Sequence, residues 1–93
     1  MALIKNITGN FFDGTAIQSG ACIRAKRTGW NDFKNGFVTE VSDNSATILY
    51  YVTSGNAANY FTIYADEVVA KLWQIYWTQD MKTVNTEGVT ASA

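Results

Sequence analysis

Apolar and polar positions alternate along this chain with a period of two, the beat of half-buried strands. The clearest instance runs from Gly36 to Val52. Two runs rich in β-branched and aromatic residues flank Ser42-Asp43-Asn44-Ser45, a cluster of turn formers. This reads as a β-hairpin. Asp43 and Asn44 are residue types that tolerate positive φ, as the centre of a two-residue turn requires. Centring the turn there pairs Val41 with Ala46, Thr39 with Ile48 and Phe37 with Tyr50. One face then carries Phe37, Val41, Ala46, Ile48, Tyr50 and Val52. The other carries Val38, Glu40, Thr47, Leu49 and Tyr51. The first is the better core face, although a slip of one residue exchanges the two.

The same beat predicts three more strands. In Ala21 to Arg27, Ala21, Ile23 and Ala25 share one face, and Cys22, Arg24 and Lys26 the other. In Asn59 to Tyr64, Phe61 and Ile63 oppose Tyr60, Thr62 and Tyr64. In Lys71 to Thr78, Trp73, Ile75 and Trp77 alternate with Gln74, Tyr76 and Thr78; a helix through Val68–Trp77 is the rival reading. Before this last strand, Ala65 to Ala70 reads as a single helical turn. Near the start, Leu3, Ile4 and Ile7 form a first strand or a docked arm, broken at Gly9-Asn10. Thr28 to Asn35 and Thr53 to Ala57 are loops. From Gln79 on the chain turns polar and small. A single domain over residues 1–80 with a flexible tail over 81–93 is the expected organisation.

Five short strands with turn signals between them predict an all-β sandwich or barrel. The stretch Asp13-Gly14-Thr15-Ala16-Ile17-Gln18-Ser19-Gly20-Ala21-Cys22-Ile23-Arg24-Ala25 resembles the Gly-x-x-Ile-x-x-Gly lead-in to the first strand of SH3-like barrels. Ala65-Asp66-Glu67-Val68 sits where such barrels place a single turn before the closing strand. The resemblance implies an SH3-like five-stranded small barrel with one short helical turn before the last strand. The chain also resembles a family of uncharacterised proteins of about this length, mostly from Firmicutes and often phage-derived or carried on mobile elements. The opening Met-Ala-Leu-Ile-x-Asn-Ile-Thr-Gly-Asn-Phe-Phe-Asp-Gly-Thr-Ala-Ile, the run Asn35 to Val41 and Tyr60-Phe61-Thr62-Ile63 carry that likeness, over residues 1–78. It implies an origin and a fold, and no known activity.

Composition narrows the function classes. Apolar residues make up 47% and charged residues 16%, a folding composition for one small domain. Net charge is −1, so there is no basic excess of the kind that neutralises phosphates, which argues against nucleic acid as a partner. There is no proline, and reversals rely on glycine, asparagine, aspartate and serine. The single cysteine, Cys22, has no partner for an internal disulfide. No apolar run is long enough to span a membrane, and the opening residues lack the features of a signal peptide. The sequon at Asn6-Ile7-Thr8 is then a chance occurrence. A cytoplasmic location, or one in a virion or mobile-element assembly, is expected.

Little chemistry can be read from the residue types. The chain has no histidine, which removes the commonest general base and metal ligand. Cys22 lacks a histidine for a thiolate pair and a second cysteine for zinc. No phosphate-binding glycine loop is present. Asp66-Glu67 is the one adjacent acidic pair, and its plain role is to solvate or cap the turn. The expectation is therefore no enzyme, no catalytic residue, no metal and no cofactor.

Two groups of residues remain as binding candidates. Trp30 and Phe33 lie in the loop after the first basic strand, and Tyr51, Tyr60 and Tyr64 fall on the less apolar faces of their strands. Together they offer anchors for a protein partner or for self-association. Folding Trp30 and Phe33 back to seal a barrel end is an equal reading. The alternative is a weak nucleic-acid-binding barrel that uses the stripe Arg24, Lys26 and Arg27, with Lys34 and with Trp30 as a stacking platform. Against it stands the ordinary role of charges on a strand edge, which is to prevent unwanted pairing.

Overall fold

A computed structural model describes residues 3–6, 9–51 and 58–89; the side chains of Asn6, Tyr51 and Ala58 lie outside the described set. Ile7, Val52, the 53–57 loop and the sequon at 6–8 also fall wholly or partly outside it. In chain order the elements are β1 (Ile4–Asn6), β2 (Asn10–Phe12), β3 (Cys22–Arg27), β4 (Lys34–Val41), β5 (Ser45–Tyr51), β6 (Ala58–Tyr64), α1 (Ala65–Val69), β7 (Trp73–Thr78) and β8 (Asn85–Glu87). The fold is all-β with one short helix. β1 and β2 form a two-stranded hairpin, and the other six strands form one sheet in the order β6-β5-β4-β3-β7-β8. All pairs are antiparallel. β3 to β6 make a meander; the chain then turns through α1 and returns as β7 along the far side of β3.

β3 and β7 follow the alternation of their sequences. They pair from Cys22 opposite Thr78 to Arg27 opposite Trp73. Ile23, Ala25, Trp73, Ile75 and Trp77 face the core, and the residues between them face away. β6 behaves likewise, with Ile63 buried and Tyr60 and Tyr64 exposed.

The helix through Val68–Trp77 does not form, because α1 ends after Val69. Lys71 takes the left-handed conformation, φ 64°. Its N–H bonds the Val68 carbonyl at 3.0 Å, and the Leu72 N–H reaches back to the Glu67 carbonyl at 3.0 Å. These two bonds are the Schellman stop, with lysine where glycine is usual.

The central hairpin differs from the regular pairing. Val41 does oppose Ala46, but a bulge between Val38 and Glu40 leaves Thr39 unpaired, and beyond it Val38 opposes Ile48 and Phe37 opposes Leu49. The extra residue exchanges the faces of the first half of β4. Val38 is 1% exposed and Phe37 52% exposed. The core face assigned to Phe37 from the alternation is thereby corrected, while Ala46 and Ile48 are buried as expected. Gly36, just before the bulged region, admits no side chain: a Cβ there would run into the Leu49 carbonyl.

The turn itself is pinned by tertiary bonds. Neither Asp43 nor Asn44 takes a positive φ. The Asp43 carbonyl accepts the Phe12 N–H at 2.8 Å, and the Asn44 carbonyl accepts the Ala65 N–H at 2.9 Å. One turn thus fastens β2 and the start of α1, and these bonds outweigh the local preference for a primed turn.

The opening residues complete the core. Leu3 is fully buried and Phe12 4% exposed, and the β1–β2 hairpin packs on α1 and β5. Asp13 carries the chain around. Its carboxylate accepts the Thr15 N–H at 2.9 Å, and its carbonyl accepts the Ala16 N–H. Ile17 then enters the core, and the buried Trp77 indole N–H donates to the Ala16 carbonyl at 3.0 Å. Within the stretch expected as tail, β8 pairs with β7, and Glu87 Oε1 accepts the Leu3 N–H at 3.4 Å.

Candidate contact surface

The side chains that β3, β4 and β7 turn away from the core make an unusual outer face. Cross-strand neighbours set Tyr60, Leu49, Phe37, Cys22 and Thr78 side by side across β6, β5, β4, β3 and β7. Phe37 is 52% and Tyr60 63% exposed, while Leu49 and Cys22 are half-buried. The outer face of an antiparallel sheet is ordinarily polar, so a row this apolar is a marked departure. Part of it lines an open groove of about 510 Å³, formed by Cys22, Arg24, Asn35, Phe37, Tyr76, Thr78 and Val84 with the backbone between them. Val84 is 63% exposed. The Met81 Sδ lies 3.5 Å from Cys22 Sγ.

Arg24 makes one side of this groove cationic, and Phe33 and Lys26 stand next to it on that side. Phe33 lies tilted against Tyr76, ring centroids 5.8 Å apart. The Arg24 guanidinium stands 4.7 Å and the Lys26 ammonium 5.9 Å from the Phe33 ring centre. Arg24 also donates weakly to Asn35 Oδ1 at 3.5 Å. Among the described residues, neither cation has a carboxylate within ion-pair distance. Arg27, by contrast, is bound to Glu67 at 2.9 Å. Glu67 Oε1 further accepts the Trp73 indole N–H at 3.1 Å. The Arg27 hydrogen bond first, then that of Trp73, holds the Glu67 carboxyl below its ordinary value, against the opposing effect of burial. Arg27 is therefore committed within the fold, and the sequence stripe is divided.

Trp30 serves the core side. Its ring meets Phe61 edge-on at 5.3 Å and Trp73 at 5.2 Å, and Phe61 stacks on Trp73 at 5.7 Å. Lys34 extends over Trp30 and Tyr50, 4.9 Å from each ring centre. Of the two readings of Trp30, sealing an end of the core is the one this packing matches. The four aromatic candidates whose side chains are described therefore do not form one patch. Phe33 lies beside the groove, Tyr60 ends the apolar row, and Tyr64, 50% exposed, stands further along β6. The Tyr51 backbone pairs with Ala58, and its side chain lies outside the described residues. Phe37, Leu49, Val84 and Met81 were not among the candidates; only for Leu49 did the strand alternation hold the signal.

Among the described residues, no three histidine, cysteine, aspartate or glutamate side chains gather to hold a metal ion, and no helix is long and apolar enough to cross a membrane. The family model described as domain of unknown function (DUF5026) matches residues 3–84, and the chain belongs to that family. No curated protein and no solved structure matches it.

Proposed function

We propose that this DUF5026 domain is a non-enzymatic protein-contact module built as an SH3-like small barrel. Its outer groove takes an extended segment of a partner protein carrying apolar side chains and a carboxylate. The β3–β6 meander, with a helical turn before β7 returns to pair with β3, supports the barrel reading. The carrying observation for function is the groove itself: an apolar row led by Phe37, flanked along β3 by Arg24 and Lys26, which have no carboxylate partner among the described residues. Burying exposed apolar surface supplies affinity, and a carboxylate at Arg24 and Lys26 fixes register and partner choice. The nucleic-acid reading loses Arg27 to Glu67, and the net charge of −1 supplies no basic excess for phosphates. The likeness of the opening residues to phage- and mobile-element families supports placing the module in such an assembly.

A displayed library of random peptides tests the proposal. Selection on the wild-type domain is expected to enrich sequences combining aromatic or aliphatic residues with aspartate or glutamate, and Phe37→Ser with Arg24→Glu should abolish their binding. Enrichment that survives both substitutions, or none at all, overturns it. Binding to an oligonucleotide that falls steeply with salt, in place of peptide binding, would support the other reading.

A further inference from the structure

We infer that the outer edge of β6 pairs with β6 of a second copy of this chain, joining two sheets into one. The inference rests on β6 and not on the groove.

β6 is the last strand on its side of the sheet. Its sequence, Ala-Asn-Tyr-Phe-Thr-Ile-Tyr, holds no charge, no glycine and no proline over seven residues. It pairs with β5 in unbroken register, with no bulge to twist its edge away. Exposed edges in native proteins are blunted by shortness, charge, proline or bulges. The opposite edge follows that rule: β8 is three residues long and carries Glu87. β6 has none of these protections.

The phase of the ladder shows which groups point outward. The Ser42 N–H bonds Ser45, so Ser45 bonds toward β4, and the Ala65 N–H bonds Asn44. Alternation along β5 then directs Ala46, Ile48 and Tyr50 to β6, where they meet Ile63, Phe61 and Asn59. Tyr60 and Thr62 are left with N–H and C=O directed away from the sheet.

A second copy fits this edge. A two-fold axis at Thr62 sets Thr62 against Thr62 and Tyr60 against Tyr64 of the second copy. Thr–Thr and aromatic pairs are favourable cross-strand neighbours. With no charge on β6, the strand does not repel its own image.

The test is mass in solution across a concentration series, by light scattering after size exclusion, for the full chain and three variants. The wild type is expected to move from the 10.3 kDa chain mass toward twice that value as concentration rises. Thr62→Lys and Tyr60→Lys should remain monomeric at every concentration, with circular dichroism unchanged. Phe37→Ser should dimerise like the wild type. A wild type that stays monomeric throughout overturns the inference. So does a dimer that survives both lysine variants, or one lost in Phe37→Ser, which would place the contact at the groove.

Discussion

The Trp73 indole donates its N–H to Glu67 Oε1 at 3.1 Å, while the other carboxylate oxygen holds Arg27 at 2.9 Å. One side chain on α1 thus ties β7 to β3 across the end where Trp30 and Phe61 pack. Charge-assisted hydrogen bonds of this kind, here partly exposed, contribute about 1–2 kcal/mol together. Glu67→Ala should lower stability by about that amount in urea titration.

The same pair predicts a pH dependence. The folded-state pKa of Glu67 is lowered, as are those of Asp13 and Asp80, whose carboxylates accept bonds from Thr15 and from the 82–83 backbone respectively. The unfolded chain therefore binds more protons than the folded one in the acid range. Stability from these groups is fully present above their ordinary carboxylate values and is lost as pH falls through the lowered ones. Melting temperature should decline with acid below about pH 5, and Glu67→Gln should show a shallower decline. An identical acid slope in that variant would count against the assignment.

The bulge at Thr39 makes a sharp contrast between neighbours. Val38→Ala removes two buried methyl groups and should cost about 2 kcal/mol. Phe37→Ala removes a larger side chain from the outer face and should cost less than about 0.5 kcal/mol. The regular register predicts the reverse order, so one pair of denaturation curves decides between them.

Lys71 ends α1 in the left-handed region, where a side chain is strained by about 1–2 kcal/mol. Glycine removes that strain but gives the unfolded chain more freedom to lose. Lys71→Gly should raise stability by about 0.5 kcal/mol. A fall would mean that the lysine side chain itself holds the turn.

Trp30→Ala should now read as a core substitution. Two edge-on ring contacts and a half-buried indole are lost, and stability should drop by about 2 kcal/mol. Peptide binding at the groove should persist in the fraction that remains folded.

Legibility from sequence followed the regularity of the backbone. β3, β6 and β7 keep an unbroken period of two, so the facing of Ile23, Ile63 and Trp77 was readable, as was the single turn of α1. β1, β2 and β8 have three residues each, too few to establish a period. Their partners, at Leu3 with Glu87 and Phe12 with Asp43, are distant in sequence. The Thr39 bulge is a backbone event without a residue signature, and it hid Phe37, the centre of the outer row. Trp30 was ambiguous for a different reason: its burial depends on Phe61 and Trp73, which only the folded chain brings together.

The most direct measurement on the contact surface is an amide chemical-shift map of the isotope-labelled domain, titrated with the peptide selected from the library. The groove predicts that the largest shifts fall on Cys22, Arg24, Asn35, Phe37, Tyr76 and Thr78, on one face of β3, β4 and β7. Shifts gathered instead around Trp30, Tyr50 and Phe61, or along β6 alone, would contradict it.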